Sequence, residues 1–276
     1  MRNNLRIVGI LNVTPDSYFD GGQFITTDAA VKRAGELLAD GADIIDIGGE
    51  STGPNSQDVT EEEELKRVIS TIKAIKRAHP DAVMSIDTYK SRIANEAIEA
   101  GASMINDVTA GRADPSIFTV AANAGVPIVL MFSKDPTPRT TVAQTQYEDV
   151  IADISLFLSE RKQAAIDAGV DASKIILDPG MGHFISSDAR YSLEVLARLR
   201  ELSALGSPLY VSPSRKSFLA GPENLKAIDR LPGTIAASAI AVLNGATYIR
   251  THDVREVRRG CAVGGELISY LQPRIR

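Results

Sequence analysis

Short apolar runs recur along the chain at fairly even intervals, and a stretch of helical periodicity follows each one. The runs are Arg6–Val13, Asp43–Gly48, Val83–Asp87, Met104–Val108, Pro127–Phe132, Ile175–Asp178, Leu209–Ser212 and Tyr248–His252. Brief continuous apolar segments of this kind read as strands buried on both faces. The segments between them read as helices. Thr60 opens TEEEELKRVISTIKAIKRAH with a glutamate three residues on, a capping-box signature. The acidic first turn and basic last turn of that segment suit the helix dipole. YEDVIADISLFLSERKQAAIDAG is amphipathic and closed by Gly169, and Gly41, Gly101, Gly125 and Gly245 stand where other helices should stop.

Strands alternating with helices imply a parallel sheet covered by helices. Eight such units in 276 residues match an α/β fold of the (β/α)8 TIM-barrel type. No linker rich in Pro, Gly or Ser interrupts them, so residues 1–276 are expected to form a single domain. A doubly wound open sheet is the alternative, but no G-x-G-x-x-G follows the first strand.

In such a barrel the reactive groups gather at the carboxyl ends of the strands. Those ends carry Asn12, Asp46 with GGEST after it, Asp87, Asn106 with Asp107, Phe132, Asp178, Ser214-Arg215-Lys216, and Arg250 with His252. The first strand breaks into Asn12, Thr14, Asp16, Ser17 and Asp20, shaped by Pro15 and a glycine pair, as expected of a strand delivering polar groups to a shared mouth. Buried carboxylates such as Asp87 and Asp178 need donors, and a flat heterocycle bearing amino and ring N–H groups would supply them. Asn106 could both donate and accept. Arg250 and His252 alternate on the last strand and so share a face. An anion held by them near Asn12 suits a diphosphate, with Mg2+ shared by Asn12.

Composition narrows the reading further. The chain is 44% hydrophobic and 24% charged, as soluble globular proteins are. A net charge of -5 argues against a nucleic-acid surface. The one cysteine, Cys261, falls mid-helix and allows no internal disulfide, which suits a cytoplasmic location. No run approaches membrane-spanning length and no signal-like region opens the chain, so no membrane association is expected. His and Cys lack metal-ligand spacing, and neither a G-x-S-x-G elbow nor a P-loop occurs, which disfavours hydrolytic nucleophiles. His79, at a helix end before Pro80, reads as structural.

GILNVTPDS, DIGGEST, SIDT, INDV, LDPGMG, SRKSF and RTHDV, in this order, resemble the dihydropteroate synthase family over about residues 6–270. The resemblance implies condensation of 6-hydroxymethyl-7,8-dihydropterin diphosphate with 4-aminobenzoate, releasing diphosphate. It implies pterin binding by Asp87, Asn106, Asp178 and Lys216, and Mg2+ and diphosphate binding by Asn12 with Arg250 and His252. Thr52, Pro54, Ser214, His183 and Phe184 would lie near the aminobenzoate. Asp87, Lys216, Arg250 and His252 would be the catalytic set. Homodimerisation through terminal helices such as VREVRRGCAVGGELISYL is implied as well.

The chain departs from the family pattern in three places. Gly53 stands where members usually carry arginine, in Ser51-Thr52-Gly53-Pro54-Asn55. The fifth strand ends Met131-Phe132-Ser133, and DPGMGHFIS replaces a motif with a lysine. Arg139 or Lys134 of the long fifth loop could compensate for the missing arginine. Several of the variants resemble the branch that includes sulfonamide-resistant synthases, which implies reduced sulfonamide sensitivity. The other readings are a pterin-binding paralogue without synthase activity and a methyltetrahydrofolate-dependent corrinoid methyltransferase.

Overall fold

The computed structural model describes residues 5–14, 26–54 and 56–271. The strands are β1 (Arg6–Asn12), β2 (Ile44–Gly48), β3 (Met84–Asp87), β4 (Met104–Asp107), β5 (Ile128–Met131), β6 (Ile175–Asp178), β7 (Leu209–Val211) and β8 (Ala246–Thr251). The helices are α1 (Thr27–Ala39), α2 (Glu61–Ala78), α3 (Ser91–Ala100), α4 (Ser116–Ala124), α5 (Val150–Asp167), α6 (Ala189–Arg198), α7 (Leu231–Leu243) and α8 (Val254–Leu271). Each strand pairs in parallel with its sequence neighbours, and β1 pairs with β8, so the sheet closes as the alternation predicts. The polar stretch Asp16, Ser17 and Asp20 after β1 lies outside the described residues.

Side-chain alternation along the strands produces two apolar regions and one polar one. Residues facing the helices, among them Ile45, Ile47, Ile86, Ile105 and Leu130, form the main core with the helices' inner faces. Val8, Ile44, Met104, Val129, Ile176 and Tyr210 point inward and fill the barrel's floor, with Tyr248 packed against them. Tyr210 stacks on Tyr248 with ring centroids 6.0 Å apart. Two residues further along several strands the inward positions become Asp46, Asn106, Asp178 and Arg250. A dry floor thus supports a polar layer.

Local chemistry explains the helix boundaries. Thr60 caps α2 by accepting from the Glu63 N–H at 3.3 Å. Glu63 pairs its carboxylate with Arg67, so one half of the expected capping box forms. Asp149 caps α5 by accepting from Ile151 and Ala152 N–H groups. The five glycines expected to end helices all take positive φ, from 63° at Gly125 to 123° at Gly101, a region closed to most side chains. Cys261 is buried in α8, and burial pushes its thiol up to about 12, so it is inert packing. No helix among the described residues is long and apolar enough to cross a membrane.

Candidate active site

The register of adjacent strands gathers the polar layer. Asp87 and Asn106 are direct neighbours across β3 and β4, as are Met131 and Asp178 across β5 and β6. Asp46 is completely buried. Its Oδ2 accepts from Arg250 Nε at 2.7 Å and from Asn106 Nδ2 at 3.0 Å. Arg250 reaches with Nη2 to Asp87 Oδ2 at 2.6 Å. One guanidinium from the last strand therefore bridges two carboxylates, and Asn106 is oriented by the first of them.

Burial raises Asp87 to about 7; the Arg250 charge opposes this, while the nearby Asp46, Glu64 and Asp107 charges add to it. Burial also raises Asp178 to about 6, against the Lys216 charge and the Gly180 N–H that donates to its Oδ1 at 2.7 Å. Lys216 moves the opposite way, down to about 8, because burial disfavours its ammonium more than Asp178 favours it. Its ammonium lies 5.0 Å from the Phe184 ring centroid, a cation–π contact. Two carboxylates raised toward neutrality and an amine lowered toward it mark this cluster as a candidate functional site.

The turn that delivers Lys216 is strained. Arg215 has φ 56°, held by its N–H on Thr234 Oγ1 at 3.0 Å, its carbonyl on Arg230, and its guanidinium on Asp253. Gly180 meets the opposite wall: a Cβ there would lie 2.4 Å from the Phe132 carbonyl oxygen. At the rim, Asn12 Oδ1 and the Asp87 side chain converge about Gly48, each about 3.5 Å from where a Cβ would stand.

The anion clamp expected of Arg250 and His252 is not preassembled. Arg250 is engaged by Asp46 and Asp87. Burial, followed by the Arg250 and Arg215 charges, pushes the His252 imidazole down to about 4, so it is neutral rather than cationic at pH 7. Its Nδ1 lies 2.9 Å from Ser214 Oγ. That oxygen also accepts from the His252 N–H and lies 3.4 Å from Thr251 Oγ1. Ser214 is thus buried and committed to His252. Arg139 and Lys134, the candidates to compensate for the missing arginine, are both engaged by protein partners. Arg139 pairs with Glu50 and Asp58, and Lys134 is held by Asp135 and Thr141.

Thr52 and Pro54 stand on one side of the mouth as half-buried loop residues, and His183 and Phe184 belong to a short turn, Gly182–Phe184, on another. His183 Nδ1 is buried without a partner among the described residues. Burial and then the Lys134, Arg230 and Lys216 charges lower the His183 imidazole. Behind the site, Lys90 joins Glu50 and Glu64 at 2.7 Å each. The roles of Asp46, Lys90 and Glu50 escape a reading of strand ends alone, although Asp46 stands at one. Asp107 is absorbed by its own loop, accepting from Thr109 and Gly111.

A closed parallel barrel whose polar layer offers carboxylates, an amide and cations to a heterocyclic anion is the architecture of a pterin binding enzyme, and the sequence pattern of that family matches residues 8–252. The dihydropteroate synthase of Clostridium beijerinckii is 43% identical over 92% of this chain and 90% of its own. The dihydropteroate synthase of Clostridium difficile, solved in the presence of pteroic acid, superposes with a TM-score of 0.87 at 38% identity, over 95% of this chain and 96% of that one. The Yersinia pestis enzyme, solved with a sulfonamide drug complex, gives 0.89 at 36% identity over 96% and 94%. The chain belongs to the dihydropteroate synthase family, and is a transferase.

Proposed function

We propose that the protein condenses 6-hydroxymethyl-7,8-dihydropterin diphosphate with 4-aminobenzoate to give 7,8-dihydropteroate and diphosphate. The observation that carries this is the convergence of Asp87, Asn106, Asp178 and Lys216 on the space above an apolar floor. Asp87 and Asp178 accept from the pterin's amino and ring N–H groups, Asn106 does both, and Lys216 donates to a ring acceptor. The bond between the pterin methylene and the diphosphate oxygen breaks, and the electron pair leaves with the oxygen. The ionised carboxylates stabilise the positive charge left on the methylene and ring. The arylamine nitrogen then bonds to the methylene, and its surplus proton goes to diphosphate or water. No protein nucleophile is needed.

Binding this substrate requires Arg250 to share or release Asp87. Its Nε stays anchored on Asp46, so the outer edge of the guanidinium can turn to the diphosphate, with His252 donating as a neutral N–H. Asn12 supplies a hard oxygen beside Asp87. No group of three or more His, Cys, Asp or Glu that could hold a metal occurs among the described residues. A single amide oxygen suits Mg2+ that arrives with phosphate oxygens and keeps much of its water. Mg2+ bound there would neutralise the leaving diphosphate.

Reduced sulfonamide sensitivity belongs to the same reading. Gly53 replaces an arginine on one wall, and His183 and Phe184 alter the other, where aminobenzoate and its mimics would be told apart. A homodimer is supported by exposed Ile240 on α7 and by Val263, Leu267 and Tyr270 on α8, apolar residues on adjoining helices.

The test is diphosphate release from the pterin diphosphate with Mg2+, with and without 4-aminobenzoate. Aminobenzoate-dependent release, lost in Asp87→Ala and Lys216→Ala, is expected. Pterin binding without release would favour the paralogue reading that the Gly53 departure motivates. A sulfonamide inhibition constant well below the aminobenzoate KM would refute the resistance, and a monomer by sedimentation would refute the dimer.

A further inference from the structure

The walls assigned to the arylamine come from loops far apart in sequence, after β2 and after β6; the second is tied at its base by the Gly180 N–H on Asp178 Oδ1 at 2.7 Å. Both are held by the loop that follows β5. Thr140, which is 3% exposed, donates its N–H to the Thr52 carbonyl at 3.1 Å. Its hydroxyl lies 2.8 Å from the His183 carbonyl and 3.0 Å from Asp135 Oδ2, while Lys134 Nζ approaches it at 3.3 Å. The Lys134 N–H donates to the Phe184 carbonyl at 2.8 Å. One buried threonine thus touches both walls through polar contacts.

Arg139, its neighbour, closes the same joint from outside. Its guanidinium pairs with Glu50 and Asp58 and donates to the Ser56 and Gln57 carbonyls at 3.1 and 2.6 Å. The Glu50 side chain is itself only 3% exposed and tied to Lys90, which is tied to Glu64 of α2. The loop after β2 is therefore pinned at Thr52 by a backbone bond and at its far end by a fork of donors. Burial would raise Glu50, but Lys90 and Arg139 together hold it below the usual carboxylate value.

We propose that Thr140 and Arg139 are positioning residues for the arylamine. They fix the Thr52–Pro54 wall against the His183–Phe184 wall, and so set the width of the slot between them, without touching the pterin. The proposal rests on the synthase reading above. The carboxylates that would take the pterin stand on strand ends and meet this joint only at its edges, through the Gly180 N–H on Asp178 and the Phe184 ring beside Lys216, so the arylamine should respond more strongly than the pterin when it is cut.

Thr140→Val keeps the shape and removes the hydroxyl; Arg139→Ala cuts the joint at a second point; Thr140→Ser restores the hydroxyl. Diphosphate release should show the aminobenzoate KM raised about 5- to 30-fold in Thr140→Val, the loss of one hydrogen bond to a buried group, and at least as far in Arg139→Ala, which removes contacts to Glu50, Asp58, Ser56 and Gln57 together. The pterin diphosphate KM should rise far less than the aminobenzoate KM, and Thr140→Ser should recover the parent value. An unmoved aminobenzoate KM, or a parallel rise for both substrates, overturns the positioning role while leaving an active parent enzyme. A parent protein without aminobenzoate-dependent release overturns the synthase reading itself, and the positioning role with it.

Discussion

Asp46→Asn separates what the buried carboxylate does for stability from what it does for chemistry. Asp46 Oδ2 receives Arg250 Nε and Asn106 Nδ2, whereas Oδ1 has no partner among the described residues. The amide keeps an oxygen for both donors but makes the Arg250 bond neutral on one side, and it places an NH2 where no acceptor stands. A charge-assisted bond exceeds a neutral one by about 1 kcal/mol, and an unsatisfied buried donor costs about 1–3 kcal/mol, so a loss of about 2–4 kcal/mol is expected. For a chain of this size that is a melting-temperature drop of roughly 5–15 °C.

The pH behaviour should move in the other direction. Asp46 is one of the charges that raise Asp87 toward about 7, and Arg250 opposes the rise. With Asp46 neutral, a repulsive charge disappears and Arg250 keeps Asp87 as its single carboxylate, so Asp87 ionises at lower pH. A carboxyl raised in the folded state contributes stability below its unfolded pKa that is lost as pH rises through the folded value. Relieving the rise removes that loss, so the variant's deficit should shrink between pH 5 and pH 8. The acid limb of kcat/KM for the pterin diphosphate should shift downward. Thermal melts at both pH values and a pH–rate profile measure the two effects. A deficit independent of pH, or an acid limb that stays put or rises, would refute the bridging role assigned to Arg250.

Three other perturbations follow from the same geometry. Lys216, lowered to about 8, should give an alkaline limb near that value in kcat/KM for the pterin diphosphate, and Lys216→Met should abolish the limb along with most activity. Among the described residues beyond its chain neighbours, the nearest atom to a virtual Cβ on Gly53 is Ser51 Oγ at 3.6 Å, so Gly53→Arg should fold normally; a charge-assisted contact restored to the diphosphate would raise kcat/KM by about one to two decades, and no gain would remove Gly53 from the account of substrate binding. Gly180→Ala combines φ +69° with a clash on the Phe132 carbonyl, and should lower the urea midpoint and pterin affinity together, because Asp178 rides on the same turn.

The barrel itself was legible because buried parallel strands are continuous in sequence. Ile175–Asp178 agrees residue for residue, and most other runs overshoot by one or two positions where apolar flanks continue beyond the ladder. At β8 the error runs the other way: pairing starts at Ala246, before the apolar run, because Ala246 meets Leu209 ahead of a register shift at Tyr210. Strand ends also announced Asp87, Asn106, Asp178 and Lys216. What the sequence could not carry was the pairing among them. Arg250 looks like an anion ligand beside His252, yet its partners lie 204 and 163 positions away. Arg139 reads as a spare cation in a long loop until Glu50, 89 positions upstream, is brought against it. Charges show their type in sequence and their commitments only in three dimensions.

Closure of β8 onto β1 sets the order in which this protein can come into being. Asp46 and Asp87 belong to strands made early, but their counter-charge, Arg250, belongs to the last strand. Until that strand docks, the sheet has two open edges and the two carboxylates lack the guanidinium that bridges them, so both must stay wet or take up protons. Insertion of β8 seals the edges and neutralises the site in one event. A chain ending before Ala246 is expected to remain protease-sensitive and to lack pterin affinity altogether, rather than retain part of each.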